Sequence, residues 1–244
     1  MNYEFDLHTH TIASGHAYST IKEMAHSAAQ KGLKLLGITE HAPKMPGTCH
    51  DFYFQNYRVF DRNAYEVPIL FGVELNILDE NGSVDMSPEL LKTMDIAIAS
   101  IHPPCVRFMN EQETTHSLIR IMQNPNVQII GHPDDGRYPI NYDELARAAN
   151  ATGTLLEVNN ASLRPDSYRP NARENYKKML DACVKHNTSI IMDSDAHIDY
   201  DVAYREYSAA LIEELQFPES LIVNTDVNKL TKYFSCDTIS MLKL

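Results

Sequence analysis

The chain has 244 residues, of which 43% are hydrophobic, and its formal net charge at pH 7 is −12. This length and composition suit an α/β protein with a sizeable core, and no basic footprint for nucleic-acid binding is visible. No apolar run approaches the roughly 20 residues that span a bilayer. The first ten residues also lack the basic and apolar segments of a secretory signal. We therefore expect a cytoplasmic protein with no membrane or nucleic-acid partner.

Hydrophobic runs and breakers alternate between strand-like and helix-like segments along the whole chain. The predicted strands cover residues 4–8, 35–39, 68–75, 95–101, 127–130, 154–158 and 189–193. The predicted helices cover residues 20–31, 114–123, 142–151, 171–186, 200–215 and 226–234. The first helix has a capping-box spacing from Thr20 to Glu23 and a stop at Gly32. With no linker or repeat in the sequence, we expect a single domain over residues 1–244.

Seven strand-then-helix passes imply parallel strands with crossover helices, in either an open sheet or a closed barrel. Polar residues follow every predicted strand, whereas an open sheet concentrates them at one switch point. The first and last strands also both end in residues that bind metals, and a barrel makes these two strands neighbours. The pattern therefore favours a closed, TIM-like α/β barrel.

The polar residues at the strand ends include an unusual number of metal-binding types. His8 and His10 are two residues apart, so on a strand their imidazoles share one face. The complete set of candidate ligands is His8, His10, His16, His41, Glu74, His102, His132, Asp195 and His197. A tetrahedral catalytic site takes three protein ligands and a water, so nine ligands predict two or three ions. Zn²⁺, Mn²⁺ and Fe²⁺ all suit such ligands, and the resulting positive pocket would suit phosphate.

Four further polar residues lie one strand step below these ligands or beside them. By the two-residue period of a strand, Asp6 shares a face with His8, and Asp193 shares a face with Asp195. Glu157 and Asn159 similarly share one face of the sixth strand. These carboxylates either fix the tautomers of the ligating imidazoles or serve as buried partners of structural groups.

The motifs that carry these residues resemble, in order, those of the PHP (polymerase and histidinol phosphatase) family, in its small single-domain phosphatase-like branch. The matching segments are Asp6-Leu7-His8-Thr9-His10-Thr11, Ile38-Thr39-Glu40-His41, Gly72-Val73-Glu74, Gly131-His132-Pro133 and Asp193-Ser194-Asp195-Ala196-His197. The resemblance runs from about residue 4 to about residue 200 and implies a distorted (β/α)7 barrel with a trinuclear metal centre.

The resemblance also implies which residues share an ion. One ion would be held by His8, His10, Glu74 and Asp195. Glu74 would bridge to a second ion, which would also bind His102 and His132. The third ion would bind His16, His41 and His197.

The predicted reaction is hydrolysis of a small phosphomonoester by a hydroxide that the metal ions activate. Two alternatives remain open: a phosphodiesterase or nuclease of the same family, and a metal-binding protein without catalytic activity. The chain has no G-x-S-x-G elbow and no P-loop, which disfavours acyl transfer and nucleoside triphosphate hydrolysis. Zn²⁺ is the expected metal, with Mn²⁺ and Fe²⁺ as alternatives. The sequence indicates neither the natural substrate nor the oligomeric state.

Several other residues have weaker interpretations. The four cysteines form no C-x-x-C pair and are expected to be reduced thiols, not zinc ligands. A phosphate-binding arginine is expected on a loop at the same end of the barrel, with Arg164 and Arg169 among the candidates Arg58, Arg107, Arg137, Arg164 and Arg169. The segment 45–62 either forms a lid or packs on the barrel, and packing is favoured. Asp134 and Asp135 either exclude highly anionic substrates or face solvent. Structural or surface roles are expected for the remaining histidines, His26, His50, His116 and His186.

Overall fold

The computed structural model describes residues 1–235, 238 and 240. Seven parallel strands form one sheet in which their spatial order follows their order in the chain. The strands are β1 (Phe5–Asp6), β2 (Leu35–His41), β3 (Ile69–Asn76), β4 (Ile96–Ser100), β5 (Ile129–Ile130), β6 (Leu155–Asn159) and β7 (Ile190–Asp193). The sheet curls into a nearly closed barrel with helices on its outside, which confirms the predicted (β/α)7 fold.

The helices between the strands are α1 (Ile21–Gln30), α2 (Asp51–Gln55), α3 (Pro88–Leu91), α4 (Glu111–Ile121), α5 (Tyr142–Thr152), α6 (Ala172–His186) and α7 (Glu206–Glu214). The predicted capping box between Thr20 and Glu23 is present at the start of α1. Helix α4 begins three residues before its predicted start, because Asn110 and Glu113 form a second capping box. Among the described residues, no helix is both long enough and apolar enough to cross a membrane.

The strands separate two apolar cores. On β3, Phe71, Val73 and Leu75 pack outward against the helices, whereas Leu70 belongs to a second cluster. Because Leu70 and Glu74 are four residues apart on one strand, they share the face that points into the barrel. The interior is therefore apolar at the amino ends of the strands and polar at their carboxyl ends.

The barrel is narrow enough for two glycines to be required at strand contacts. A Cβ atom on Gly37 would lie 2.5 Å from the carbonyl oxygen of Leu7, and one on Gly72 would lie 2.2 Å from the carbonyl oxygen of Ile96. Both distances are far below van der Waals contact, so a larger residue would push the neighbouring strands apart.

Side chains, and not a regular ladder, close the gap between β1 and β7. Asp193 accepts a hydrogen bond from the Leu7 amide at 3.0 Å, and Asp6 accepts one from the Ser194 amide at 3.1 Å. One isolated bridge, between Thr9 and Ala196, joins the chain beyond these strands. We call this contact between β1 and β7 the seam.

The seam decides between the two interpretations of Asp6 and Asp193. The hydrogen bonds that the structure gives to both carboxylates come from the backbone and from seam side chains. Strand β1 ends at Asp6, so the two-residue period does not extend to His8. The alternative interpretation, that both are buried partners of structural groups, is the right one.

The last two predicted helices are confirmed only in part. Residues 200–215 form a 3-10 turn, Asp199–Asp201, and then the shorter helix α7. Ala203 interrupts them with a φ of 60°, a left-handed conformation in which its amide donates to Asp6 at 2.7 Å. Residues Val227–Lys232 form a 3-10 helix.

The C-terminal segment closes the apolar end of the barrel. Val223, Val227, Leu230 and Phe234 pack into the same cluster as Leu70. Their spacing resembles that of an amphipathic helix, but their partners are the strands of the barrel interior. The segment therefore has the hydrophobic spacing of a helix, but in the structure it forms short 3-10 turns.

Asn224 provides a test of the seam. Its side chain is fully buried, accepts from the Met192 amide at 2.7 Å and donates to the Met192 carbonyl at 2.9 Å. We expect Asn224→Ala to lower the free energy of unfolding by about 1–3 kcal/mol, because it leaves the buried Met192 amide unpaired. Urea denaturation measures this change. Asn228→Ala, at an exposed position of the next turn, is the control and should change stability by less than about 0.5 kcal/mol.

Candidate metal centre

All nine predicted ligands lie together at the carboxyl end of the barrel. His8, His10 and Glu74 are fully buried, while His41, His102 and His132 are each 4% exposed. His16 and His197 lie nearer the surface, at the mouth of the cavity that the site opens into. The structure thus brings together residues from six of the seven strand ends.

The carboxylate of Glu74 is the centre of this group. Its Oε1 atom lies close to three imidazole nitrogens, at 2.9 Å from His132 Nε2, 3.2 Å from His102 Nε2 and 3.4 Å from His8 Nε2. Its Oε2 atom lies 2.7 Å from His41 Nδ1 and 3.5 Å from His10 Nε2. Five imidazoles therefore converge on one buried carboxylate.

Asp195 is a second carboxylate against the same imidazoles. Its Oδ1 atom lies 3.3 Å from His10 Nε2 and 3.6 Å from His8 Nε2. Asp195 and His132 have φ values of 55° and 29°, in or near the left-handed region that side chains disfavour. Such strain costs of order 1–3 kcal/mol per residue and is typical of functional sites.

The third expected ligand set lies toward the mouth of the cavity. The Nε2 atoms of His16 and His41 are 3.2 Å apart, and the rings of His16 and His197 are 4.9 Å apart between centroids. Three groups have their ligand atoms within 4.8 Å of one another: His8, His10 and Glu74; His10, His41 and His197; and His41, Glu74 and His102. His41 therefore faces both Glu74 and His16, and the three expected sets form one continuous cluster.

Several buried atoms of this cluster lack hydrogen-bond partners. They are Nε2 of His8, Nε2 of His10, Nδ1 of His41 and Oε2 of Glu74. The separations of 3.3–3.6 Å between His8, His10 and the two carboxylates are long for hydrogen bonds. They match the spacing of about 3.4 Å between two ligands of a tetrahedral ion with bonds near 2.1 Å. The donor set therefore fits divalent cations.

Partners below the site fix which nitrogen of two imidazoles carries the proton. His8 Nδ1 lies 2.7 Å from Glu157 Oε1, and a carboxylate can only accept. His102 Nδ1 lies 2.7 Å from Asn76 Oδ1, and the amide nitrogen of Asn76 donates to Asp85 at 2.6 Å. Both histidines are thus protonated on Nδ1, which leaves the Nε2 lone pairs free to bind a cation.

These contacts decide the roles of Glu157 and Asn159. Glu157 is the predicted partner of an imidazole, and the amide of Asn159 donates to Asp195 Oδ2 at 3.1 Å. Asn76 was not predicted as a partner, although it lies two residues beyond Glu74 and so on the same face of β3. The two-residue period of a strand, which led to Glu157, also leads to Asn76.

The burial of opposite charges shifts several pKa values. Burial alone would raise the pKa of Glu74, but the imidazoles of His102, His8 and His41 hold it well below its ordinary value. Burial and the neighbouring imidazoles of His41 and His197 lower the pKa of His16 to about 4. Burial opposes protonation of His8, yet Glu157, Glu74 and Asp195 raise its pKa well above 6.5.

The site opens into a cavity of about 530 Å³ whose outer wall carries three of the five candidate arginines, Arg137, Arg164 and Arg169. Arg107 instead pairs with Glu80 and Glu113, and Arg58 lies at a separate shallow pocket.

The three arginines on the cavity wall differ in their partners. Arg137 pairs with Asp135 at 2.5 Å, and Arg164 pairs with Asp201 at 3.1 Å. The buried Arg169 donates to Ser162 Oγ at 2.6 Å, and its guanidinium lies 3.7 Å from the Oδ2 atom of Asp195. Arg169 is thus the best placed to bind an anion.

The expectation that Asp134 and Asp135 face solvent is wrong. Asp134 is fully buried and accepts hydrogen bonds from Tyr176 at 2.9 Å and Ser162 at 3.1 Å. Asp135 is held by Arg137. Both carboxylates position the wall of the cavity and neither faces solvent.

The other secondary interpretations agree with the structure. In the segment 45–62, Phe54 and Tyr57 are buried in the outer core, as expected for packing on the barrel. His26 contacts Glu66, and His186 contacts Asp143, both away from the site. The free cysteines are Cys49, Cys105 and Cys183, and Cys236 lies outside the described residues.

Comparison with known proteins agrees with this geometry. The PHP domain matches residues 6–217. A probable phosphatase of Clostridium novyi is 41% identical over 233 residues, which cover 96% of this chain and 95% of the relative. A probable phosphatase of Thermoanaerobacter sp. is 42% identical over 234 residues, with the same shares covered.

A solved structure shares the fold. Histidinol phosphate phosphatase from Lactococcus lactis, complexed with zinc, L-histidinol and phosphate, superposes with a TM-score of 0.61. The match covers 88% of this chain and 95% of that one, at 19% sequence identity. Together with the domain match, these likenesses show that the chain belongs to the PHP family.

Proposed function

We propose that this chain is a metal-dependent phosphatase that hydrolyses a small phosphomonoester at a centre of three divalent ions. The observation that carries the proposal is the set of buried ligand atoms without hydrogen-bond partners around Glu74. They lie beside a cavity whose wall holds Arg169. Relatives that match nearly the whole chain are named probable phosphatases, which supports the same reading.

The proposed ligand sets follow the family pattern. The first ion takes His8, His10, Glu74 and Asp195, the second takes Glu74, His102 and His132, and the third takes His16, His41 and His197. Zinc is the proposed metal because imidazoles and carboxylates suit it, although Mn²⁺ and Fe²⁺ accept similar ligands. The zinc bound to the Lactococcus lactis protein supports this choice.

Bound ions of this kind supply Lewis-acid chemistry, which activates water and neutralises the oxygens of a phosphate. The chain adds the guanidinium of Arg169, which donates to a phosphate oxygen and orients the ester in the cavity. Arg164 and Arg137 lie further out on the same wall and are partly neutralised by aspartates.

The cysteines near the site do not offer an alternative nucleophile. Burial raises the pKa of Cys49 and of Cys105 to about 11, so both are thiols at neutral pH. We therefore propose that the reaction proceeds by direct attack of water, without a covalent intermediate on the protein.

Two features favour this proposal over the alternatives. The net charge of −12 and a cavity of about 530 Å³ suit a small ester better than a nucleic acid. A metal site without catalytic activity is usually closed by protein ligands, whereas this cluster lines an open cavity.

Phosphate release after reconstitution with zinc tests the proposal. We expect turnover of phosphomonoesters that falls at least about 100-fold in His10→Ala and in Asp195→Ala, because each removes a ligand atom. His26→Ala, which changes an exposed histidine outside the site, is the control and should keep full activity. Turnover of diesters alone would support the nuclease alternative. Zinc binding without any turnover would contradict catalysis.

Zinc binding to His8 should also depend on pH. Glu157, Glu74 and Asp195 raise the pKa of His8 in the metal-free protein, so protons compete with zinc for Nε2 of its ring. Affinity for zinc should therefore fall as the pH is lowered. Titration calorimetry at several pH values, in buffers of different ionisation enthalpy, measures the affinity and the protons released. A zinc affinity that does not change with pH would contradict this assignment.

A further inference from the structure

Glu40 is a fully buried carboxylate that lies next to His41 in the chain but is not among the proposed ligands. Its Oε2 atom accepts from the Thr11 amide at 3.1 Å and from Ser14 Oγ at 2.5 Å. Its Oε1 atom accepts from the hydroxyl of Thr11 and, at 3.4 Å, from that of Tyr53. Four hydrogen-bond donors therefore surround this one carboxyl group.

The hydroxyl of Ser14 stands between Glu40 and the metal cluster. It has one proton and two lone pairs. The proton lies toward Glu40, whose Oε2 atom accepts from this hydroxyl at 2.5 Å. One lone pair accepts from the His41 amide at 3.0 Å, and the other faces His10 Nδ1 at 3.2 Å. His10 can therefore only donate to Ser14, and its proton lies on Nδ1.

We propose that Glu40 and Ser14 are positioning residues which hold His10 in the Nδ1-protonated tautomer, with the Nε2 lone pair directed at Glu74 and Asp195. Glu157 and Asn76 act on their imidazoles directly, whereas Glu40 acts through one hydroxyl. The same carboxylate also binds Tyr53, so it ties the segment 45–62 to the base of the cluster. This inference rests on the proposed metal site, but the tautomer itself can be measured without metal.

Long-range ¹H–¹⁵N NMR of the metal-free protein at neutral pH reads the tautomer of each histidine, and the spectrum of His10→Ala assigns the His10 signals. We expect the wild-type His10 ring to carry its proton on Nδ1. In Ser14→Ala the acceptor is gone, so the Nε2-protonated form should become populated. A wild-type ring protonated on Nε2 would overturn the proposal, as would an unchanged tautomer in Ser14→Ala.

Zinc affinity supplies a second test. We expect Ser14→Ala to weaken zinc binding about 10–100-fold, the usual effect of removing a partner of a ligating imidazole. Ser117→Ala is the matched control, because Ser117 is equally buried but donates to a carbonyl within α4. Its zinc affinity should match that of the wild type. Affinities in Ser14→Ala and Ser117→Ala that agree within about twofold would contradict a role for Ser14.

A double-mutant cycle tests whether Glu40 acts through Ser14. Glu40→Gln should weaken zinc binding about tenfold in the wild-type background and less than about twofold in the Ser14→Ala background. Equal losses in both backgrounds would show that Glu40 acts independently and would overturn the relay. If Ser14→Ala does not fold, the tautomer of His10 in Glu40→Gln replaces it, and an unchanged Nδ1 proton there overturns the proposal.

The two proposals fail in different ways. An Nδ1-protonated His10 in a protein that binds no zinc would contradict the proposed function and leave the tautomer assignment supported. Zinc-dependent turnover with an Nε2-protonated His10 would contradict the relay alone.

Discussion

The rest of the structure depends on the burial of Glu74 among five imidazole rings. A charged carboxylate and several imidazoles in a dry interior are costly unless each polar atom has a partner. The Nδ1 atoms of His8 and His102 donate hydrogen bonds to Glu157 and Asn76, so one nitrogen of each ring has a partner. The Nε2 atoms of both rings face Glu74 and remain available to bind a cation, which the protein chain does not itself supply. Divalent cations fit this requirement in charge, in donor type and in the spacing of the ligand atoms.

The barrel accommodates such a buried polar cluster because its apolar core and its polar site lie at opposite ends of the strands. The apolar interior around Leu70, which the C-terminal turns cover, supplies the hydrophobic burial on which folding depends. The carboxyl ends of the strands are then free to carry polar side chains, some in strained conformations such as those of His132 and Asp195. The seam between β1 and β7 holds the first and last of these strands in register. Its side-chain hydrogen bonds thereby bring His8 next to Asp195.

The strands and the candidate ligands could be predicted from the sequence, because they depend on hydrophobic periodicity and on which residues follow each strand. Every candidate ligand except His16 lies within four residues of the carboxyl end of a strand, so parallel topology gathers these ligands at one end of the barrel. The partners of the ligands were harder to predict. Glu157 followed from the two-residue period, whereas for Asp6 this period left two roles open, because β1 stops sooner than the pattern suggests. The turns of the C-terminal segment depend on long-range contacts, such as that of Ala203 with Asp6, which have no local signal in the sequence.

The number of metal ions per chain tests the central claim most directly. Elemental analysis of the protein after zinc loading and removal of free metal should give about three zinc ions per chain. In Glu74→Ala, which removes the carboxylate shared by two ligand sets, the count should fall to about one. A wild-type count below two, or a count in Glu74→Ala equal to that of the wild type, would contradict a metal centre built around Glu74.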